Sequence, residues 1–242
     1  MNSLTRRSFL KTSTVAALGF PAIVRAQTSA NEEIRVGVVG FNGRGESHIS
    51  GFGKQKNVRV AALCDVDKSV LDRGVKKLAT DTNKVAGFTD LRKLYEDKTI
   101  DVISIATPNH WHALAAIWAI QAGKDVYLEK PVSHNVWEGR QIVKAARKHA
   151  RIVQTGTQSR SSHGIRDAVA WVKEGNLGKI LVARGQCYKP RGPIGKTAGP
   201  QPIPGSVDYD LWCGPAPLTP PRRNSSKYGA IHYDWHWFWD YG

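Results

Sequence analysis

Residues 34–48, IRVGVVGFNGRGESH, decide the fold. Six apolar or β-branched positions run without polar alternation, apart from Arg35, as in a strand buried on both faces of a parallel sheet. Gly40, Gly43 and Gly45 then turn the chain into a predicted helix. Working outward, VRVAALCD (58–65), DVISIAT (101–107), DVYLEK (125–130) and RIVQTGT (151–157) read as further strands. KSVLDRGVKKLA (68–79), HWHALAAIWAIQAG (110–123) and VWEGRQIVKAARKH (136–149) read as the intervening helices. Strand and helix in alternation predict an α/β domain over 31–157, a doubly wound parallel sheet with right-handed crossovers.

The rhythm changes after residue 157. A helix is expected at 163–175, a strand at 179–188 (KILVARGQCY) and a long Pro- and Gly-rich loop at 189–224. In HYDWHWFWDY (232–241), Tyr233, Trp235, Trp237 and Trp239 alternate, which predicts a strand with an aromatic face. A strand so apolar needs another layer over it. The expectation is an incomplete second domain over 158–242, with the natural chain continuing past Gly242.

The 242 residues include 41% hydrophobic and 23% charged side chains, the balance of an ordinary globular protein. The formal charge of +15 is high, and Arg6, Arg7, Lys11 and Arg25 account for four of those charges. The remainder is scattered without a long run of one sign, which argues for a solvated basic surface and against nucleic acid as a partner. Cys64, Cys187 and Cys213 form no CxxC pair, so buried free thiols are expected and a disulfide framework or structural zinc is not. Thr5-Arg6-Arg7-Ser8-Phe9-Leu10-Lys11 matches the twin-arginine export motif, and Val24-Arg25-Ala26 offers a cleavage site. A signal peptide over 1–26 and a periplasmic or secreted product follow, with no membrane attachment once the signal is removed.

The turn Gly40-Phe41-Asn42-Gly43-Arg44-Gly45 departs from G-x-G-x-x-G at position 42. Asparagine tolerates positive φ better than most residues, and Gly43 beside it lets the backbone approach a pyrophosphate. Asp65 ends the second strand, where a carboxylate accepts hydrogen bonds from the adenosine ribose and repels a 2′-phosphate. Dinucleotide binding is therefore expected, with NAD favoured over NADP. Asp67 suits a helix N-cap. Lys130, at the carboxyl edge of the sheet and before Pro131, is the candidate for taking a hydroxyl proton during hydride transfer, work that asks for desolvation of the amine. His232, Asp234 and His236 alternate on the expected last strand, read as a polar face and not as a metal site.

GFNGRG, ALCDVD, ATPNHWHA, YLEKP, VQTGTQSRS and LWCGPAP together resemble the Gfo/Idh/MocA oxidoreductases, the glucose–fructose oxidoreductase-like group. The resemblance runs from about Ile34 to Gly242. It implies a Rossmann domain followed by an α+β domain with an open sheet, bound NAD(P), a sugar-like or polyol substrate, and a homo-oligomer when full length. Carried across, Glu129 and Lys130 stand in the EKP motif, with Lys130 reaching both nicotinamide and substrate hydroxyl. Thr107, Pro108, Asn109 and His112 match the loop along the cofactor, and Gln158 and Arg160 the segment facing the site. The family also places an aspartate and a histidine four residues apart on a helix of its second domain; no D-x-x-x-H occurs after Gly175. The resemblance thus implies a cofactor half with an incomplete catalytic half. Three functions stay open: a sugar or polyol dehydrogenase, an enzyme that cleaves glycosides through transient oxidation by tightly bound NAD, and an inactive cofactor-binding product.

Overall fold

The computed structural model describes residues 33–188, 195, 197–222 and 231–242. The twin-arginine motif and its cleavage site lie outside the described residues. Six parallel strands form one sheet: β1 (Ile34–Val39), β2 (Val58–Cys64), β3 (Ala86–Phe88), β4 (Val102–Ile105), β5 (Asp125–Glu129) and β6 (Val153–Gly156), in the order β3-β2-β1-β4-β5-β6. This is the doubly wound order the alternation predicts. The direction of winding reverses between β1 and β4, so the carboxyl ends of those two strands open a crevice.

The helices are α1 (Arg44–Phe52), α2 (Lys68–Leu78), α3 (Leu91–Glu96), α4 (Asn109–Gln121) and α5 (Val136–His149). Local chemistry starts most of them. Asp67 accepts from Ser69 N at α2, Asp90 from Arg92 N at α3, and Asn135 from Glu138 N at α5. Helix α4 is apolar nearly all round, and Ala113, Ala115, Ala116 and Ala119 let it lie close on the sheet. Around them Leu94, Ile103, Ile105, Ile120 and Leu128 are fully buried, each stabilising the fold by about 1.5–3 kcal/mol. Strand β3 and helix α3 escaped the sequence reading because each is too short to show a period.

Beyond β6, a 3-10 turn (Gln158–Ser161) leads into α6 (His163–Lys173), close to the expected helix. Residues 179–188 are not a strand: they are exposed and without regular structure, having no neighbouring strand to pair with among the described residues. The expected long loop contains a short helix, α7 (Tyr209–Cys213), capped by Asp208. The aromatic segment is likewise not a strand. It coils through a 3-10 turn (Asp234–Trp237), and its rings go to different places: Trp235 packs against a cluster of Tyr209, Trp212, Cys213, Ile231 and Tyr241, while Trp239 is exposed. Alternation yields a strand only where a sheet edge pairs with it, and this segment pairs with neither edge strand, β3 or β6. Cys64 and Cys213 are buried as expected, whereas Cys187 is exposed.

The segment around α7 docks on the carboxyl edge of the sheet. Lys68 N donates to Ser206 O at 2.8 Å, Asp208 N to Val66 O at 2.9 Å, and Trp111 Nε1 to the Leu211 and Trp212 carbonyls, each at 3.1 Å. This segment becomes the far wall of the crevice.

Candidate active site

The crevice at the winding reversal is a cavity of about 760 Å³, within the range of about 300–1,000 Å³ usual for small-molecule sites. Its floor is the turn from Gly40 to Arg44. Gly40 has φ of +74°, and a side chain there would press on the Thr107 backbone. At Gly45 a methyl group would overlap the Gly40 carbonyl oxygen, so this glycine permits the close strand–helix packing. Gly43 faces open space. Helices α1 and α4 both begin at the cavity, and neither N-terminus has a side-chain cap. Their backbone N–H groups and positive dipole ends suit an anionic group.

Asn42 does not use a left-handed backbone; its side chain accepts from Arg73 Nη2 at 3.2 Å instead. The departure from the glycine fingerprint is accommodated because Gly43, not position 42, leaves the open approach. Asp65 lines the cavity, but its oxygens already accept from Phe41 N at 3.1 Å and Asp67 N at 3.0 Å. Burial raises the Asp65 carboxyl above its ordinary value, opposed by those two N–H donors. The carboxylate therefore anchors the glycine turn in addition to any ribose it meets. Asp67 caps α2 as expected and also meets His232 Nε2 at 2.9 Å. Burial works to raise Asp67, yet hydrogen bonds from Ser69, His232 and Ser206 outweigh it and bring the carboxyl to about 2.

The other wall comes from β4 and β5. Thr107, Pro108, Asn109, His112, Glu129 and Lys130 all line the cavity, together with the glycine turn. The Thr107 hydroxyl is buried with no partner among the described residues, a polar atom left for a ligand. The His112 ring is turned away from such contact: Nδ1 lies 2.6 Å from Pro131 O and Nε2 2.9 Å from Thr107 O. Burial lowers its affinity for a proton despite these acceptors, and a neutral ring donates to only one of them. His112 thus ties the Thr107 loop to the loop after Lys130, and shapes the cavity wall with both ring nitrogens already engaged. Lys130 is exposed at the mouth, before a cis Lys130–Pro131 peptide bond.

Gln158 and Arg160 are not brought to this site. Both sit in the exposed 3-10 turn after β6 and line no part of the cavity. Other residues take the space the sequence left unassigned: Trp212, His232, Tyr233, Trp235 and His236 form the wall opposite the sheet. Their role depends on a fold-back of 100 or more residues, which no local pattern announces. His232 and His236 lie on a coil, not a common strand face, and no His, Cys, Asp and Glu cluster among the described residues fits a metal ion.

Glu129 is the best-connected side chain of the site. Only 4% exposed, it accepts from Arg44 Nε at 2.8 Å, from Lys130 N at 3.1 Å and from His48 at 3.0 Å. Burial works to raise its carboxyl, but the Arg44 and His48 hydrogen bonds win and hold it below the usual value. Sequence reasoning missed His48, which lies in the first helix without any motif of its own.

An uncapped helix N-terminus behind a glycine turn, the orphan Thr107 hydroxyl and the Asp65 carboxylate at the end of β2 together fit a dinucleotide. Comparison with known proteins agrees. Residues 34–157 match the family model described as an oxidoreductase family with an NAD-binding Rossmann fold. A glycosyl hydrolase family 109 protein of Shewanella pealeana is 31% identical over 170 residues, covering 60% of this chain and 37% of the relative. A glycosyl hydrolase family 109 protein of Shewanella sp. strain MR-4 is 36% identical over 122 residues, 48% of this chain and 27% of the relative. The chain therefore spans less than two fifths of the curated relatives it matches. Among solved structures, myo-inositol 2-dehydrogenase from Lactobacillus plantarum superposes with a TM-score of 0.57 at 27% identity, covering 62% of this chain and 44% of that one. Scyllo-inositol dehydrogenase from Lactobacillus casei, solved with NAD(H) and scyllo-inositol, gives 0.55 at 27% identity, covering 61% and 43%. The matched span contains the glycine turn, Asp65 and Lys130, and the chain belongs to the Gfo/Idh/MocA oxidoreductase family with its NAD-binding Rossmann fold.

Proposed function

We propose that this chain carries the cofactor half of a dehydrogenase that moves a hydride between a hydroxyl-bearing carbon of a sugar or polyol and NAD. The observation that carries the reading is Lys130 at the mouth of the same cavity that holds the glycine turn. Gly40, Gly43, Arg44 and the first amides of α1 would hold the pyrophosphate. Asp65 and Thr107 would hold the ribose side, and Glu129 would orient the nicotinamide end. Bound there, NAD supplies the hydride acceptor. Lys130 accepts the proton of the substrate hydroxyl when that carbon is oxidised and returns it in the reverse direction. Its exposure means that substrate, or protein packed above it, must exclude water before this transfer is efficient.

The test is spectrophotometric, with NAD and a panel of inositols and sugars followed by reduced-nucleotide absorbance. Lys130→Met is expected to bind NAD as wild type does while turnover falls about 10²–10⁴-fold. Equal turnover in the variant would remove Lys130 from the chemistry.

A second reading is favoured by the relatives named glycosyl hydrolases. In it, transient oxidation of the sugar ring by retained NAD drives elimination of the glycosidic group, with no net reduced nucleotide. Release of nitrophenol from aryl glycosides, lost on stripping NAD, would identify that reaction. Turnover in neither assay would support an inactive cofactor-binding product.

The exported location and homo-oligomeric state belong to the same proposal. Cell fractionation with Arg6 and Arg7 both changed to Lys is expected to retain the protein in the cytoplasm. Light scattering after size exclusion would give the oligomer.

A further inference from the structure

Behind the glycine turn, Ser104 and His48, which do not line the cavity, join Glu129, which does, in a buried chain drawn from three separate elements. Ser104 of β4 is fully buried, and its Oγ lies 2.9 Å from His48 Nδ1. His48 of α1 is 5% exposed, and its Nε2 lies 3.0 Å from Glu129 Oε1 at the end of β5. The imidazole is fixed edge-on against Tyr127, with ring centroids 5.2 Å apart and planes at 88°. At Gly156 a side chain would crowd both the Tyr127 hydroxyl and Glu129 Oε1, so β6 leaves the glutamate room.

With the ring neutral and Glu129 ionised, only one placement of protons satisfies this chain. An ionised Glu129 accepts and cannot donate, so His48 Nε2 carries the hydrogen facing it. A neutral ring then has its lone pair on Nδ1, and the Ser104 hydroxyl must donate to it. The opposite tautomer would set a lone pair against a carboxylate oxygen. Burial, the largest influence on His48, keeps the ring below the ordinary histidine value and agrees with a neutral ring. Serine, histidine and acid are in contact, but Ser104 is fully buried and does not line this cavity, so the arrangement is not a nucleophilic triad.

We propose that His48, locked in its Nε2–H tautomer by Ser104, is a positioning residue that sets Glu129, and through it both Arg44 at the phosphate turn and the Lys130 main chain. Glu129 Oε1 receives His48 and Arg44 together, while Oε2 receives Lys130 N. One buried carboxylate thereby joins the pyrophosphate end of the cavity to its reactive end. Without His48 the carboxylate loses its buried donor and the two ends lose their common reference. The proposal rests on the reading of this cavity as the NAD site and of Lys130 as the proton acceptor.

The experiment uses the 242-residue chain. Long-range ¹H–¹⁵N correlation spectra of the His48 ring at pH 7.5 are expected to show the Nε2–H tautomer; the Nδ1–H tautomer or an imidazolium would overturn the proposal. Ser104→Ala and His48→Ala, checked for folding by thermal melts, are expected to weaken NAD binding measured by calorimetry about tenfold, a change of about 1.4 kcal/mol. The same variants are expected to change the acetylation rate of Lys130 relative to exposed Lys68 by at least about twofold, a local readout on the scale of a few tenths of a kcal/mol. His48→Gln, which keeps a donor toward Glu129, should restore most of both effects. Unchanged NAD affinity and Lys130 reactivity in folded variants would sink the idea. Should the variants fail to fold, the wild-type tautomer decides alone. A wild-type chain with the expected tautomer and coupled losses but no turnover would support the positioning role while removing the dehydrogenase reading.

Discussion

At Asp65, two jobs share one side chain. Its carboxylate holds the Phe41 and Asp67 amides while lining the cavity at the end proposed to take the ribose. Asp65→Asn keeps the size and one acceptor oxygen but loses the charge. NAD affinity is expected to fall roughly tenfold, since hydrogen bonds to charged groups contribute about 1.5–3 kcal/mol. NADP should lose less, because the repulsion of a 2′-phosphate is relieved, and calorimetry with both nucleotides measures the change in ratio. Gly45→Ala is expected to be harsher. Its methyl group collides with backbone, which cannot swing aside, and the strain of about 1–3 kcal/mol should appear both in urea midpoints and in lost NAD binding. These residues were legible in the sequence because each belongs to a short spacing, glycine to glycine or strand end to acid. Position 42 was legible only in part: its departure from glycine could be seen, but not its contact with Arg73, which comes from α2, beyond the next strand.

At the scale of elements, α4 is the joint between the sheet and the segment that closes over it. His110 N donates to Tyr241 O at 3.2 Å, and the His110 ring meets Trp212 O at 3.1 Å. Trp111 runs alongside so tightly that a side chain at Gly214 would overlap its indole. Gly214→Ala is therefore expected to undock the α7 segment while leaving the sheet folded. Limited proteolysis should then cut near residues 204–222 markedly faster, with the sheet domain protected as before; unchanged cutting would show that the segment does not rely on this contact. Trp111→Phe keeps most of the buried ring but loses the indole donor to Leu211 and Trp212, for a cost of about 1 kcal/mol. The sequence marked α4 as an apolar helix beginning with two histidines. It could not mark their partners, because Trp212 lies about 100 residues away with only Pro- and Gly-rich chain announcing it.

For the whole molecule, buried histidines impose a pH dependence. Burial, the leading cause, brings His110 down to about 4, and lowers His48 and His112 in the same direction. Unfolded, such rings take up protons near pH 6.5, so between that value and 4 the unfolded chain binds more protons than the folded one. Their contribution to stability is complete above about pH 6.5 and declines as pH falls toward 4. His110 alone accounts for at most about 3 kcal/mol of that loss. Below pH 4 the Asp67 carboxyl adds to it, its contribution lost as pH falls toward about 2. Urea unfolding from pH 7.5 to 4.5 should show a falling midpoint, and His110→Gln should flatten the slope. A midpoint independent of pH in the wild type would contradict the buried, neutral state of these rings.

Five of the six strands, their parallel winding and the place of the candidate nucleotide site were legible in the sequence, while the short β3 was not. Buried parallel strands need continuous apolar runs, and a phosphate turn needs glycines at set spacing; both are local requirements written into neighbouring residues. Tertiary structure decided the rest. It placed His48 and Ser104 behind Glu129, turned His112 toward two carbonyls, and left Gln158 and Arg160 outside the cavity. It also coiled the aromatic segment that alternation had made a strand, and set Trp212 and His232 across from the sheet. Those outcomes depend on which distant surfaces meet, and that is fixed by packing and buried hydrogen bonding rather than by any period along the chain.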